Sequence, residues 1–135
     1  MKVKYETKEL KATPFGGLYV FTEFLHQIKF HKIFDDCFQK LRKVRQSTPS
    51  QNLALLAGMI VSGGERLYDI GRLSDDQAVC DLFDVPSAPK DTTLRDDLFL
   101  IGQKDSGRAE LLLRLNEMLF EKLPLTSITV DIDGT

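Results

Sequence analysis

The chain has 135 residues, 42% of them apolar and 28% charged, with a formal net charge of −2, which is the composition of a soluble globular protein long enough to bury a core and excludes a generally nucleic-acid-coated surface. Its longest apolar run, Leu53 to Val61 around Gly58, is too short to span a bilayer, and Met1–Glu6 lacks the apolar core of a secretory signal. Charge is nevertheless uneven: residues 1–50 carry ten Lys/Arg against five Asp/Glu, and residues 51–135 carry eight against fifteen, a basic front and an acidic back.

Residues 1–16 alternate polar and apolar side chains up to Pro14 and Gly16, the pattern of an extended arm closed by a turn. A helical stripe follows at Leu18, Phe21, Phe24, Leu25 and Ile28, then a second at Phe30, Ile33, Phe34, Cys37, Phe38 and Leu41, predicting two packed helices. Lys40–Ser50 reads as a polar, basic connector. A third helix is signalled by Thr48 as N-cap, Pro49 at the first position and Gln51 completing a capping box. Leu53, Leu56, Ala57 and Ile60 are its expected buried face, and Gly63-Gly64 its stop. A short helix is expected through Leu67, Ile70 and Leu73. Ser74 and Gln77 repeat the capping pattern ahead of Val79, Leu82 and Phe83. Beyond Pro86 and Pro89, Asp91 or Thr92 caps a helix carrying Leu94, Leu98 and Ile101. The last helix, capped by Asp105 or Ser106, turns Leu112, Leu115, Leu119 and Leu123 inward and ends at Pro124.

The final segment, Ile128-Thr129-Val130-Asp131-Ile132-Asp133-Gly134-Thr135, has the alternation of a strand. Asp131 and Asp133 then share one face, about 6.6 Å apart along the chain, opposite Ile128, Val130 and Ile132. A carboxylate pair on a buried strand calls for neutralisation, and a divalent metal supplies it. The plainer reading is a solvent-facing edge strand whose acids discourage aggregation. The chain stops where such a site would begin, so it is read as the front of a longer metal-dependent enzyme. The expected fold is therefore mainly α: a helical domain over 17–124, followed at 125–135 by the first strand of an α/β domain.

Other constellations are weaker. Gly63-Gly64 lacks the Lys-Ser/Thr pair of a phosphate loop, and there is no Gly-x-Ser-x-Gly nucleophile elbow. His26 and His31 have no third ligand at metal spacing and are read as structural. Cys37 and Cys80 form no CxxC and fit core thiols in a reducing cytoplasm. Lys40-Leu41-Arg42-Lys43-Val44-Arg45 places four cations in six residues, either a solvated connector or a phosphate-neutralising run. Residues 75–101 have roughly helix-turn-helix proportions, which would put Thr92, Thr93 and Arg95 near the N-terminus of the second helix. A purely structural helical hairpin fits the same residues.

Two family resemblances bear on the C-terminal acids. Asp131-x-Asp133-Gly134-Thr135 looks like the first motif of haloacid dehalogenase-like phosphatases, which would make Asp131 the nucleophile and Asp133 the general acid/base. A longer stretch, from about residue 14 to 135, resembles the N-terminal half of bacterial insertion-sequence transposases of the DDE class. The pieces occur in order: Gly16-Gly17-Leu18, Gly63-Gly64, Leu67-Tyr68-Asp69-Ile70, Leu73-Ser74-Asp75-Asp76, Leu82-Phe83-Asp84-Val85-Pro86-Ser87, Thr92-Thr93-Leu94-Arg95, then the terminal strand. That resemblance implies an RNase H-like catalytic domain whose first metal-binding Asp is Asp133, with Asp131 beside it. It also implies paired Mg²⁺ for phosphoryl transfer, double-stranded DNA at transposon terminal inverted repeats as partner, a homodimer, and a cytoplasmic, nucleoid-associated location. The remaining acids would lie beyond Thr135, so these 135 residues are expected to be catalytically inactive alone. A third possibility is a helical DNA-binding module without chemistry.

Overall fold

The computed structural model describes residues 13–44, 46–103 and 108–124, and every regular element among them is helical. They are α1 (Leu18–Gln27), α2 (Phe30–Cys37), α3 (Pro49–Val61), a 3-10 turn (Leu67–Asp69), α4 (Ile70–Ser74), α5 (Gln77–Leu82), α6 (Asp91–Gly102) and α7 (Arg108–Phe120). Residues 1–12 of the expected arm 1–16 and the expected strand at 125–135 lie outside the described residues, and residues 14–17 form a turn. Among the described residues, no helix is long and apolar enough to cross a membrane.

The two N-terminal stripes give α1 and α2 as expected. Their junction is tight: Ile28 N–H donates to Phe24 O, Lys29 N–H donates to His26 O, and Lys29 takes a left-handed φ of 57°. The second stripe predicts a helix reaching Leu41, but α2 ends at Cys37. Phe38 leaves the helix at φ −115°, its ring stacked on Phe34 at 4.9 Å, and Lys40 turns the chain at φ 55°. Leu41 still packs against the core, although the backbone carrying it is no longer helical.

α3 starts as its sequence dictates. Gln51 N–H donates to Thr48 Oγ1 at 3.2 Å, Thr48 N–H donates to Gln51 Oε1 at 2.9 Å, and Pro49 opens the first turn. The Gln51 amide also donates to Asp84 O at 2.8 Å. The buried face differs from the expected one: Asn52, Ala54, Leu55, Leu56, Gly58 and Met59 are buried, while Ile60 is 59% exposed. Gly58 lets Phe83 pack against the helix, because a Cβ there would meet Phe83 Cζ at 2.5 Å. Past α3, Gly63 turns the chain at φ 89°, a conformation that suits a residue without Cβ.

The cap of α5 is Asp76 rather than Ser74. Asp76 Oδ1 accepts from Ala78 N–H at 2.9 Å and Val79 N–H at 3.3 Å, and Thr13 Oγ1 donates to Asp76 Oδ2. An aspartate one residue before the helix reaches these orphan donors directly. At α6, Lys90 takes the N-cap position without a side-chain bond, so neither Asp91 nor Thr92 caps. Asp105 and Ser106, the expected caps of α7, lie outside the described residues.

A continuous core joins these elements. α2 packs on α1, α3 and α7; α3 also meets α1, α4 and α6; α5 packs on α4 and α1. Phe34, Leu55, Leu73, Val79 and Leu94 are fully buried at its centre. Leu115 seats α7, and Met118 Sδ lies 4.0 Å from Cys37 Sγ. Both cysteines are buried and free, and burial pushes the Cys80 thiol up.

Candidate nucleic-acid interface

Arg42 is the residue around which the basic connector is folded. Its Nε donates to Asp97 Oδ1 and its Nη2 donates to Asp97 Oδ2 at 3.0 Å, a two-pronged pairing that suits the planar guanidinium. Nη2 also donates to Ser47 O at 3.2 Å and Nη1 to Lys43 O at 3.3 Å. Asp97, on the other side, is 3% exposed. Asn52 Nδ2 donates to Asp97 Oδ2 at 2.7 Å, and Ser47 Oγ donates to Asn52 Oδ1 at 2.6 Å. Hydrogen bonding to Asp97 raises the Arg42 pKa, against the opposing effect of burial. A buried carboxylate is tolerable only when paired and hydrogen-bonded in this way.

Arg42 is thus committed to the protein interior rather than lying loose on the connector. Lys43 and Val44 are exposed, and Arg45 falls outside the described residues. The ion pair has a topological result: residues 55 positions apart in sequence are tied together, fastening the connector to α6. Asp97 lies one turn beyond Thr93, about 6 Å along the axis at 1.5 Å per residue.

The three residues singled out on α6 divide between two sides of that helix. At roughly 100° per residue, Lys90 and Thr93 fall within about 40° of Asp97, whereas Thr92 and Arg95 point to the opposite side. Exposure agrees: Thr93 is half-buried, while Thr92 and Arg95 are exposed together with Phe99. Asp91 and Asp96, also exposed, flank that outer face with negative charge. Leu98, expected inside, is 36% exposed, and Asp97 takes its place on the buried side.

α5 and α6 do not assemble as a helix-turn-helix pair. α6 packs on α3, the 3-10 turn and α7, whereas α5 has α4 and α1 as its main neighbours. Several pieces of the transposase-like pattern have local structural work. Asp69 Oδ2 accepts from Glu65 N–H at 2.9 Å and Arg66 N–H at 3.0 Å, which lowers its pKa. Asp76 caps α5, and Asp84 takes a left-handed φ of 54°.

Asp131 and Asp133, the expected Mg²⁺ ligands, lie outside the described residues. Among the described residues, no group of three His, Cys, Asp or Glu side chains is placed to hold a metal. The His26 and His31 rings are 6.3 Å apart; His31 Nδ1 is buried without a hydrogen-bond partner among the described residues, and burial lowers its pKa. A shallow cleft of about 550 Å³ lies between Pro14–Phe15 and the start of α5, with Arg72 beside Asp75 and Asp76. The Asp76 oxygens there are already taken by the cap and Thr13.

No family model matches the chain, and no curated protein or solved structure is significantly similar to it.

Proposed function

We propose that this chain is the N-terminal portion of a DDE-class transposase, a helical body that binds double-stranded transposon-end DNA and leads into the first catalytic strand. The observation that carries the reading is the ordered series of sequence motifs ending in Ile128–Thr135, in which Asp131 and Asp133 are spaced two residues apart, the spacing that would put both on one face of a strand. In this reading Asp133, with Asp131 beside it, contributes carboxylates to Mg²⁺, which supplies charge stabilisation for phosphoryl transfer in the complete enzyme. The haloacid dehalogenase-like alternative rests on the same five terminal residues and assigns no role to the rest of the chain.

What supports the DNA-binding half is the Arg42–Asp97 pair, which fixes a basic segment against α6. Lys43 and Arg45 on the connector, with Thr93 on the side of α6 that carries Asp97, are the proposed phosphate contacts; Thr92 and Arg95, on the opposite side of α6, are proposed as a separate DNA contact. Arg42 enters as the anchor of the loop. A homodimer is proposed alongside; Leu113 and Phe120, seven residues apart on α7 and 65% and 55% exposed, share a helix face suited to it.

The test is titration of a labelled terminal-inverted-repeat duplex at several salt concentrations, with random-sequence competitor. Expected is binding with a negative slope of log affinity against log salt, about 0.9 per phosphate contact, and preference for the repeat. No detectable binding at low salt would refute the proposal.

A further inference from the structure

We infer that Asp97 and Asn52 are positioning residues for DNA contact: through Arg42 and Ser47 they hold the basic connector on the helical body so that Lys43 is presented to phosphate. The inference rests on the DNA-binding reading above and adds to it the interior residues on which that contact depends.

Four of the five guanidinium N–H donors of Arg42 are engaged, two on Asp97 and one each on the Ser47 and Lys43 carbonyls. The side chain is 21% exposed. Little of it is left to meet a phosphate. Its bonds instead close the loop: Lys43 O and Ser47 O, at either end of the segment after Arg42, are drawn to one centre. Ser47, itself buried, is held a second time through Asn52. Asn52 comes from α3 and Asp97 from α6, so the connector is clipped to both helices at one point. The Lys43 side chain, exposed, departs from a main chain whose carbonyl is already fixed.

This arrangement reverses a simple electrostatic expectation. Asp97→Asn removes a negative charge and, on Coulombic grounds, strengthens attraction to DNA. As a positioning change it weakens binding, because the guanidinium loses its ion pair and the loop opens. Arg42→Lys keeps the charge, and lysine is a competent phosphate binder, but an ammonium cannot span a carboxylate and two carbonyls. A direct phosphate contact at position 42 tolerates that change; an anchor does not.

The experiment compares the full chain with Asp97→Asn and Arg42→Lys, using a labelled random-sequence duplex across a salt series. Circular dichroism gives the folded fraction, and trypsin cleavage after Lys43 is followed without DNA. Both variants are expected to bind about tenfold more weakly at fixed salt, with the salt slope reduced by about one as a phosphate contact is lost. Cleavage after Lys43 should accelerate in both. A role in stability alone lowers the folded fraction and leaves the slope unchanged, and that result overturns the inference. So does an Asp97→Asn variant that binds as tightly as the wild type or more so. Should Asp97→Asn fail to fold, the Arg42→Lys slope decides. A wild-type chain that does not bind the duplex refutes the underlying DNA reading, an outcome distinct from losses confined to the variants.

Discussion

His31 turns partial burial into a pH dependence. Burial is the largest influence on its imidazole and pushes the pKa below the ordinary histidine value; Asp35 opposes this, His26 adds to it and Asp84 opposes it. The folded state therefore binds the proton less readily than the unfolded chain. This contribution to stability is fully present above the unfolded histidine pKa, near 6.5, and is lost as pH falls from there through the lowered value. Urea midpoints measured at about pH 7.5 and pH 5 should fall with acidification, and His31→Gln should flatten that fall. An equally steep fall in the variant would remove His31 as the cause. Asp97 shows the limit of reading at this scale. Its position, three residues after Leu94 and four before Ile101, puts it on the buried side of α6, yet Leu98 at neighbouring helical spacing competes for that place. A charge on an apolar stripe implies a partner of opposite sign. The sequence contains eighteen Lys/Arg, and spacing along the chain does not say which one lies across the core. Asn52 was legible only as a polar interruption early in an apolar helix.

Helix starts carry their signal in adjacent residues, and α3 is the clearest case. Thr48, Pro49 and Gln51 form the box their order predicts. Thr48→Ala should cost about 1 kcal/mol in urea unfolding, while Thr48→Ser should be nearly neutral. A loss below about 0.3 kcal/mol for Thr48→Ala would mean that water serves the first turn equally well. The phase of the same helix was not legible, because Leu53, Ala54, Leu55, Leu56, Ala57, Met59, Ile60 and Val61 make it apolar nearly all round. What chose the face was Asn52, drawn inward by Asp97 and Ser47, together with Gly58 yielding room to Phe83. At α5 the cap is Asp76, the residue directly before the helix, while Ser74 is the last residue of α4. The helix-turn-helix expectation failed for another reason: proportions along the chain do not encode which helices pack together. α6 found its main partners in α3, the 3-10 turn and α7.

For the molecule as a whole, the helical class followed from apolar spacing repeated along almost every segment of the described chain. The proposed chemistry depends on residues at its C-terminal end, and the proposed grip on DNA on the basic half before them. These separate into distinct expectations for the 135-residue chain. Salt-sensitive DNA binding should survive removal of Mg²⁺ by a chelator, and strand transfer should be undetectable with Mg²⁺ present. Binding abolished by chelation would assign the DNA contact to the terminal acids instead of the connector. The charge asymmetry also has a structural refinement. One cation of the basic half and one anion of the acidic half, Arg42 and Asp97, neutralise each other inside, so each half offers one charge fewer to any partner.

Gln51 acts in two directions: its carbonyl oxygen serves Thr48, and its amide nitrogen serves Asp84, 33 residues away at the left-handed bend after α5. Fraying at the head of α3 must then also release that distant bend. Two surface sites that look independent should open in a single event, and the Thr48 amide should exchange with solvent deuterium at a rate that responds to substitutions in the Phe83–Val85 corner.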